Sequence, residues 1–169
     1  MPLITLSFFI VTKNNSVNLN SPVNLEISEE FSAVSEISQA ARKYLALNLS
    51  IIPVDGDKRP LFPWSIYQKQ KPTIDEVCRW FKKSTPGIAI VTGKVSGCLE
   101  VVDVDCKYDL SGSLMEDFCE LLKEHAPELF PKLVIARTIN KGFHVIYRVS
   151  AASVSGNKKI ASRPATPAE

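Results

Sequence analysis

The stretch Leu99-Glu-Val-Val-Asp-Val-Asp105 constrains this chain more than any other. It reads as a β-strand, in which successive side chains alternate between two faces. Leu99, Val101, Asp103 and Asp105 fall on one face, and Val102 and Val104 on the other. Two carboxylates therefore leave the end of an apolar strand side by side. Like charges one pleat apart repel unless a cation, a base or water offsets them. A hard divalent cation that prefers oxygen ligands, Mg²⁺ or Mn²⁺, is the usual solution, which makes Asp103 and Asp105 candidate metal ligands.

A second stretch, Arg137 to Val149, completes the constellation. Asn140-Lys141-Gly142 reads as a turn between two strands. In the strand after it His144, Ile146 and Arg148 share one face, and Phe143, Val145, Tyr147 and Val149 the other. If this hairpin lies in the same sheet as the aspartate strand, His144 is carried close to the two acids. Arg137, Lys141 and Arg148 are nearby cations, and Arg148 has the best face alignment with His144.

Around these stretches the chain reads as one main α/β (α+β) domain, a mixed β-sheet flanked by helices. Residues 1–34 form an N-terminal strand or hydrophobic arm (Leu3 to Thr12) and a linker, residues 35–149 the domain, and residues 150–169 a flexible or truncated tail. A helix begins near Ser35 with Ile37, Ala41, Tyr44 and Leu45 as its apolar stripe. Ile51-Ile-Pro-Val54 is a short strand, and Asp55-Gly-Asp-Lys-Arg-Pro60 a turn carrying two cations. That turn is either a solvated surface feature or a phosphate contact through Lys58 or Arg59. Thr73-Ile-Asp-Glu76 and Ser113-Leu-Met-Glu116 have the form of capping boxes, each opening a helix. Leu114, Phe118, Leu121 and Leu122 mark the apolar face of the second of these helices. Trp64, Trp80 and Phe81 read as core residues and His125 as a complement to a helix C-terminus.

Composition excludes little. With 45% hydrophobic and 22% charged residues in 169, the chain is of ordinary globular type. The opening apolar run is too short to span a bilayer and lacks the basic lead of a signal peptide, so a cytoplasmic protein with no membrane partner is expected. A net charge of +2 leaves any attraction to nucleic acid to local patches. Cys78, Cys98, Cys106 and Cys119 show no C-x-x-C spacing, which fits reduced thiols and gives no zinc site with His125.

Five short motifs in order carry a resemblance: Lys58-Arg-Pro-Leu with Trp64, Gly87-Ile-Ala-Ile-Val-Thr-Gly93, Ser96-Gly97, Val102-Asp-Val-Asp105, and Thr138 with Gly142-Phe-His144. From Ile37 to Val149 the chain resembles the bifunctional DNA primase/polymerase (prim-pol) N-terminal domain of the archaeo-eukaryotic primase superfamily, found in plasmid, phage and other mobile-element replication proteins. The resemblance implies an RRM-like catalytic core and a nucleotidyltransferase that extends DNA primers on a template from NTPs or dNTPs. It implies Mg²⁺ or Mn²⁺ on Asp103 and Asp105, His144 on the phosphates of the incoming nucleotide, and a downstream helicase in the parent protein. Lys58, Arg137, Lys141 and Arg148 are the candidate nucleotide-binding cations. One departure stands out. Family members carry a further acidic residue on a strand after the histidine, whereas here Glu169 is the only carboxylate residue after Glu128. Either the chain is a fragment of a longer replication protein or it has lost that acid, and on this expectation its residues form an incomplete catalytic set. A metal-dependent nuclease and a non-catalytic nucleic-acid or nucleotide-binding module are the alternatives.

Overall fold

The structure is a computed structural model that describes residues 8–12, 36–82, 87–107, 109–138 and 141–150. The linker reading, most of the tail reading and Asn140 of the hairpin turn lie outside the described residues. Among the described residues there are six strands, β1 (Phe8–Thr12), β2 (Ser50–Val54), β3 (Gly87–Val91), β4 (Leu99–Val104), β5 (Val134–Arg137) and β6 (Phe143–Arg148). Three helices accompany them, α1 (Glu36–Ala46), α2 (Ile74–Trp80) and α3 (Leu114–His125). The class is α+β. The strands divide between two antiparallel three-stranded sheets, ordered β1-β3-β2 and β4-β6-β5, in place of a single mixed sheet. The division follows from the Thr92–Cys98 segment, whose left-handed Gly93, Gly97 and Cys98 take the chain out of the first sheet.

The first sheet is the interior of the molecule. Every residue of β2 and β3 is buried, and the two faces feed separate apolar clusters. On one face Ile51, Ile88 and Ile90 meet Ile37, Ala41 and Tyr44 of α1, Val77 of α2 and Phe81 just after it. Burying one such side chain is worth about 1.5–3 kcal/mol, so this face holds much of the driving force for folding. On the other face Ile52, Val54, Ala89 and Val91 meet Tyr67, with Phe62, Trp64 and Trp80 packed alongside. Trp80 touches both clusters, and the rings of Phe62 and Tyr67 lie 4.9 and 5.1 Å from its own. Pro53 is accommodated because β2 is an edge strand of this sheet.

The second sheet is joined to the first through the larger cluster, to which β4 and β6 contribute Leu99 and Ile146, with Val101, Val134 and Ala136 against it. A polar clamp reinforces the junction. The Arg148 guanidinium on β6 donates to the carbonyls of Ser96, Gly97 and, at 3.4 Å, Leu47. Gly97 takes φ +70° beneath the clamp, a conformation that favours glycine, and a Cβ there would press on the Arg148 guanidinium.

Local signals in the sequence explain most helix ends. α1 stops where Asn48 takes a left-handed conformation and Leu49 donates back to the Tyr44 carbonyl. α2 opens with the full capping box: Thr73 Oγ1 accepts from the Glu76 N–H, and Glu76 Oε2 accepts from the Thr73 N–H at 2.7 Å. α3 differs from its sequence pattern. Ser113 makes no side-chain cap and turns to Asp117, while the Asp109 carboxylate takes the N–H groups of Leu114 and Gly112. No residue of α3 is buried, and Leu114 and Leu121 remain 41% and 56% exposed. Among the described residues no helix is long and apolar enough to cross a membrane.

Glu76 also accepts a hydrogen bond from the buried Tyr67 hydroxyl at 2.8 Å. The Thr73 N–H first, then the Tyr67 hydroxyl, holds its carboxyl below the ordinary value of 4.5. Burial, then the Glu76 bond and charge, pushes Tyr67 up to about 12. Thr73→Ala should lower stability by about 1 kcal/mol, read as a shift in the urea midpoint. A depressed carboxylate contributes stability that is complete above its unfolded-state value and disappears as the pH falls through the folded-state value. The urea midpoint of the wild-type chain should therefore fall more steeply than that of Glu76→Gln as the pH drops below about 4.5.

Candidate active site

Register builds the site. In the β4–β6 pair Asp103 stands directly opposite His144, and Ala136 of β5 flanks the histidine from the other side. His144 Nε2 lies 3.6 Å from Asp103 Oδ1, longer than a hydrogen bond but within charge contact. The two side chains differ in environment, Asp103 being 72% exposed and His144 15%. Burial pushes the imidazole below its ordinary value of 6.5, with the Asp103 charge acting against that shift and the Lys58 charge adding to it. At pH 7 His144 is thus a neutral ring with one donor and one acceptor nitrogen.

Asp105 follows immediately beyond the end of β4, where the hairpin turn closes over it. Thr138 donates to the Gly142 carbonyl at 2.8 Å and Lys141 to the Thr138 carbonyl at 3.1 Å. Gly142 is buried against the strand end: a Cβ there would lie 2.5 Å from the Val104 carbonyl oxygen and 3.6 Å from Asp105 Cα. The Asp105 carboxylate accepts the Lys107 N–H through Oδ1 at 2.9 Å and is exposed. Next to it the Cys106 thiol is pushed up by burial and then by the charges of Asp109 and Asp105, so it stays protonated.

Among the described residues no group of three or more His, Cys, Asp or Glu side chains converges on a metal position. The donors offered by the strand end are two exposed carboxylates. This set suits Mg²⁺ or Mn²⁺, since Mg²⁺ usually binds through one or two carboxylates and completes its shell with water and substrate phosphates.

Lys58 reaches the same end of the molecule by topology. Val54, the last residue of β2, pairs with Gly87 at the start of β3. β3 runs away from that point, the chain reverses through the Gly93–Leu99 bridge, and β4 returns over a similar length to Asp103. The turn after Val54 therefore lies toward the same end as Asp103, and the Lys58 charge acts on His144.

The other cations separate. Lys141 is exposed in the hairpin turn with a left-handed backbone, next to Gly142. Arg137 pairs with Phe143, on the face of the sheet opposite His144, and its guanidinium lies 5.9 Å from the Phe143 ring centre. Arg148 shares a face with His144 but lies at the other end of β6, opposite Leu99, with its guanidinium on three carbonyls. Four residues of strand put it about 13 Å from His144 along the backbone. Sequence reading passed over Asp55, whose carboxylate closes the Lys58 turn. The signal was present in Asp55-Gly-Asp-Lys, since an aspartate opening a turn commonly takes backbone N–H groups two residues on.

Residues 41–166 match the family model described as bifunctional DNA primase/polymerase, N-terminal. The chain belongs to this family. No curated protein matches the sequence. The matched region contains Lys58, Asp103, Asp105 and His144, and runs past Val149 into the tail. Membership of the prim-pol family supports a primase/polymerase-type function in DNA replication, with nucleotidyl transfer as its chemistry.

Because Gly142 packs on backbone that cannot swing aside, Gly142→Ala should destabilise the chain by about 1–3 kcal/mol and loosen the strand end that carries Asp105. Equilibrium urea unfolding of the variant beside the wild-type chain would measure the difference.

Proposed function

We propose that this chain is the catalytic domain of a template-directed primase/polymerase, with its reacting centre at the ends of β4 and β6. The observation that carries the reading is the cross-strand pair of Asp103 and His144, with Asp105 just past the strand end, in a prim-pol family chain. Asp103 and Asp105 would hold Mg²⁺ or Mn²⁺. Bound there, the ion neutralises triphosphate charge and favours ionisation of the primer 3′-hydroxyl.

In the reaction the primer 3′-oxygen forms a bond to the α-phosphorus of the incoming nucleotide. The bond to the bridging α–β oxygen breaks, pyrophosphate leaves, and the 3′-hydroxyl proton passes to solvent. His144, neutral and held between two neighbouring strands, donates one N–H to a phosphate oxygen. A third carboxylate at its position would repel that oxygen. Lys58 adds a positive charge from the facing loop. Lys141 stands at the rim of the same end. Arg137 stands at the same strand end on the other face, its charge acting on Cys106 beside Asp105, while Arg148 bonds to carbonyls at the far end of β6 and has no part in this binding.

The partners in this reading are a DNA template and primer and an NTP or dNTP. The parent would be a replication protein of a plasmid, phage or other mobile element, with a helicase following this domain.

Incubation of the full-length parent with primed and unprimed templates, Mn²⁺ or Mg²⁺ and labelled NTPs or dNTPs tests the reading. Extension is expected, falling to background in Asp103→Asn with Asp105→Asn. A hydrogen bond to a charged group contributes about 1.5–3 kcal/mol, so His144→Ala should slow extension by roughly tenfold to a hundredfold. Undiminished synthesis by the double variant would exclude the assignment. Shortening of the DNA would instead identify a nuclease, and a gel shift without synthesis a binding module.

A further inference from the structure

The segment after β2 is more tightly organised than an exposed, polar loop requires. Asp55 supplies all four of the hydrogen bonds that close it. Its Oδ1 accepts from the N–H groups of Asp57 at 2.9 Å and Arg59 at 2.8 Å. Its own N–H donates to the Arg59 carbonyl at 2.9 Å, and its carbonyl accepts the Lys58 N–H at 3.1 Å. Past the turn the chain is tied back to β2 by the Val54–Pro60 bridge and by the Leu61 N–H on the Pro53 carbonyl.

Lys58 lies inside this ring of bonds with φ at +67°. An L-residue with a long side chain adopts that conformation at a penalty, and glycine or asparagine would fit it better. A strained lysine on a turn at the acid end of the molecule, close enough for its charge to act on His144, is a reason to look for a role in the lysine's direction.

We propose that Asp55 is a positioning residue for the site: by closing the turn through its carboxylate it fixes Lys58 in the left-handed conformation from which the ammonium meets the phosphates of a nucleoside triphosphate. The inference rests on the primase/polymerase reading for the identity of the ligand. It adds that the affinity supplied by Lys58 depends on an acid that itself touches no substrate. Asp55 acts through the backbone of residues 57–59, so the Oδ1 acceptor matters and the negative charge does not.

The test uses the full chain, with dATP and Mg²⁺ as the probe, binding followed by titration calorimetry and folding by thermal melting. Lys58→Asn removes the ammonium while keeping a residue that tolerates the left-handed backbone. It should weaken dATP binding about fivefold to tenfold, the scale of one charge-assisted phosphate contact. Asp55→Ala should weaken binding to the same extent, whereas Asp55→Asn, which keeps the acceptor oxygen, should stay within about twofold of wild type. In the double variant Asp55→Ala, Lys58→Asn the two effects should not add, because they remove one interaction. In extension assays the losses of the single variants should fall on KM for the nucleotide, with kcat nearly unchanged.

Weakened binding in Lys58→Asn together with unchanged binding in Asp55→Ala would overturn the positioning role alone. Additive losses would overturn it too, since Asp55 would then act by another route. Unchanged binding in Lys58→Asn, or no binding by the wild-type chain, would remove Lys58 from the site and take the inference with it. A drop in melting temperature for Asp55→Ala with no change in dATP affinity would reduce Asp55 to a structural turn residue.

Discussion

The site depends on one register. β4 and β6 pair so that Asp103 meets His144, and in an antiparallel ladder a slip of one residue would send one of the two to the opposite face of the sheet. What fixes the register lies elsewhere on the same two strands. Leu99, Val101 and Ile146 turn the same face toward the shared apolar cluster, and Gly142 closes against Val104 at the end of the ladder. The alternation that buries the leucine and valine is the alternation that presents the acids. Core packing and site geometry are therefore set by a single periodicity.

Position along the strand then decides the chemistry. At Leu99 the β4 side chain is buried, and by Asp103 it is mostly in solvent. A pair of carboxylates is tolerable there because water screens their repulsion until a cation arrives, which it could not do among the isoleucines of β3. His144 lies one strand inward and is largely buried, so its ring is neutral and conformationally restricted. The arrangement places an exposed anionic edge against an uncharged donor, a suitable pairing for a ligand whose phosphates carry negative charge and bring a divalent ion with them.

Much of this was legible from the residues. The period-two pattern of Leu99 to Asp105 follows from local sequence, and β1 falls within the apolar run at the N-terminus, whereas the sheet shared by the hairpin and the acid strand is a condition that only the β4–β6 register meets. Face assignment alone, however, carries no information about which end of a strand a side chain occupies. That is why Arg148 aligns with His144 by parity yet bonds to Ser96, Gly97 and Leu47 at the opposite end. Ser113 illustrates a different blindness: it fits a capping box with Glu116, but Asp109 reaches the same N-terminus first from outside the four-residue window. The division into two sheets was equally hidden, since it is produced by the left-handed residues at Gly93, Gly97 and Cys98 and not by any hydrophobic pattern.

The division has a consequence for the site. Its acids and histidine belong to the second sheet, while Lys58 stands on a turn extending from the first. The distance between the lysine and the acids is therefore a property of how the two sheets are docked. That docking is held by the apolar cluster they share and by the Arg148 clamp, which ties β6 to the segment linking β3 with β4 and to the end of α1. A residue about 13 Å along the strand from His144 can thus govern the geometry around it, as the pin of a hinge governs the gap at the far edge of a door. Its three carbonyl bonds, and the glycine that makes room for them, belong to the same design as the aspartates.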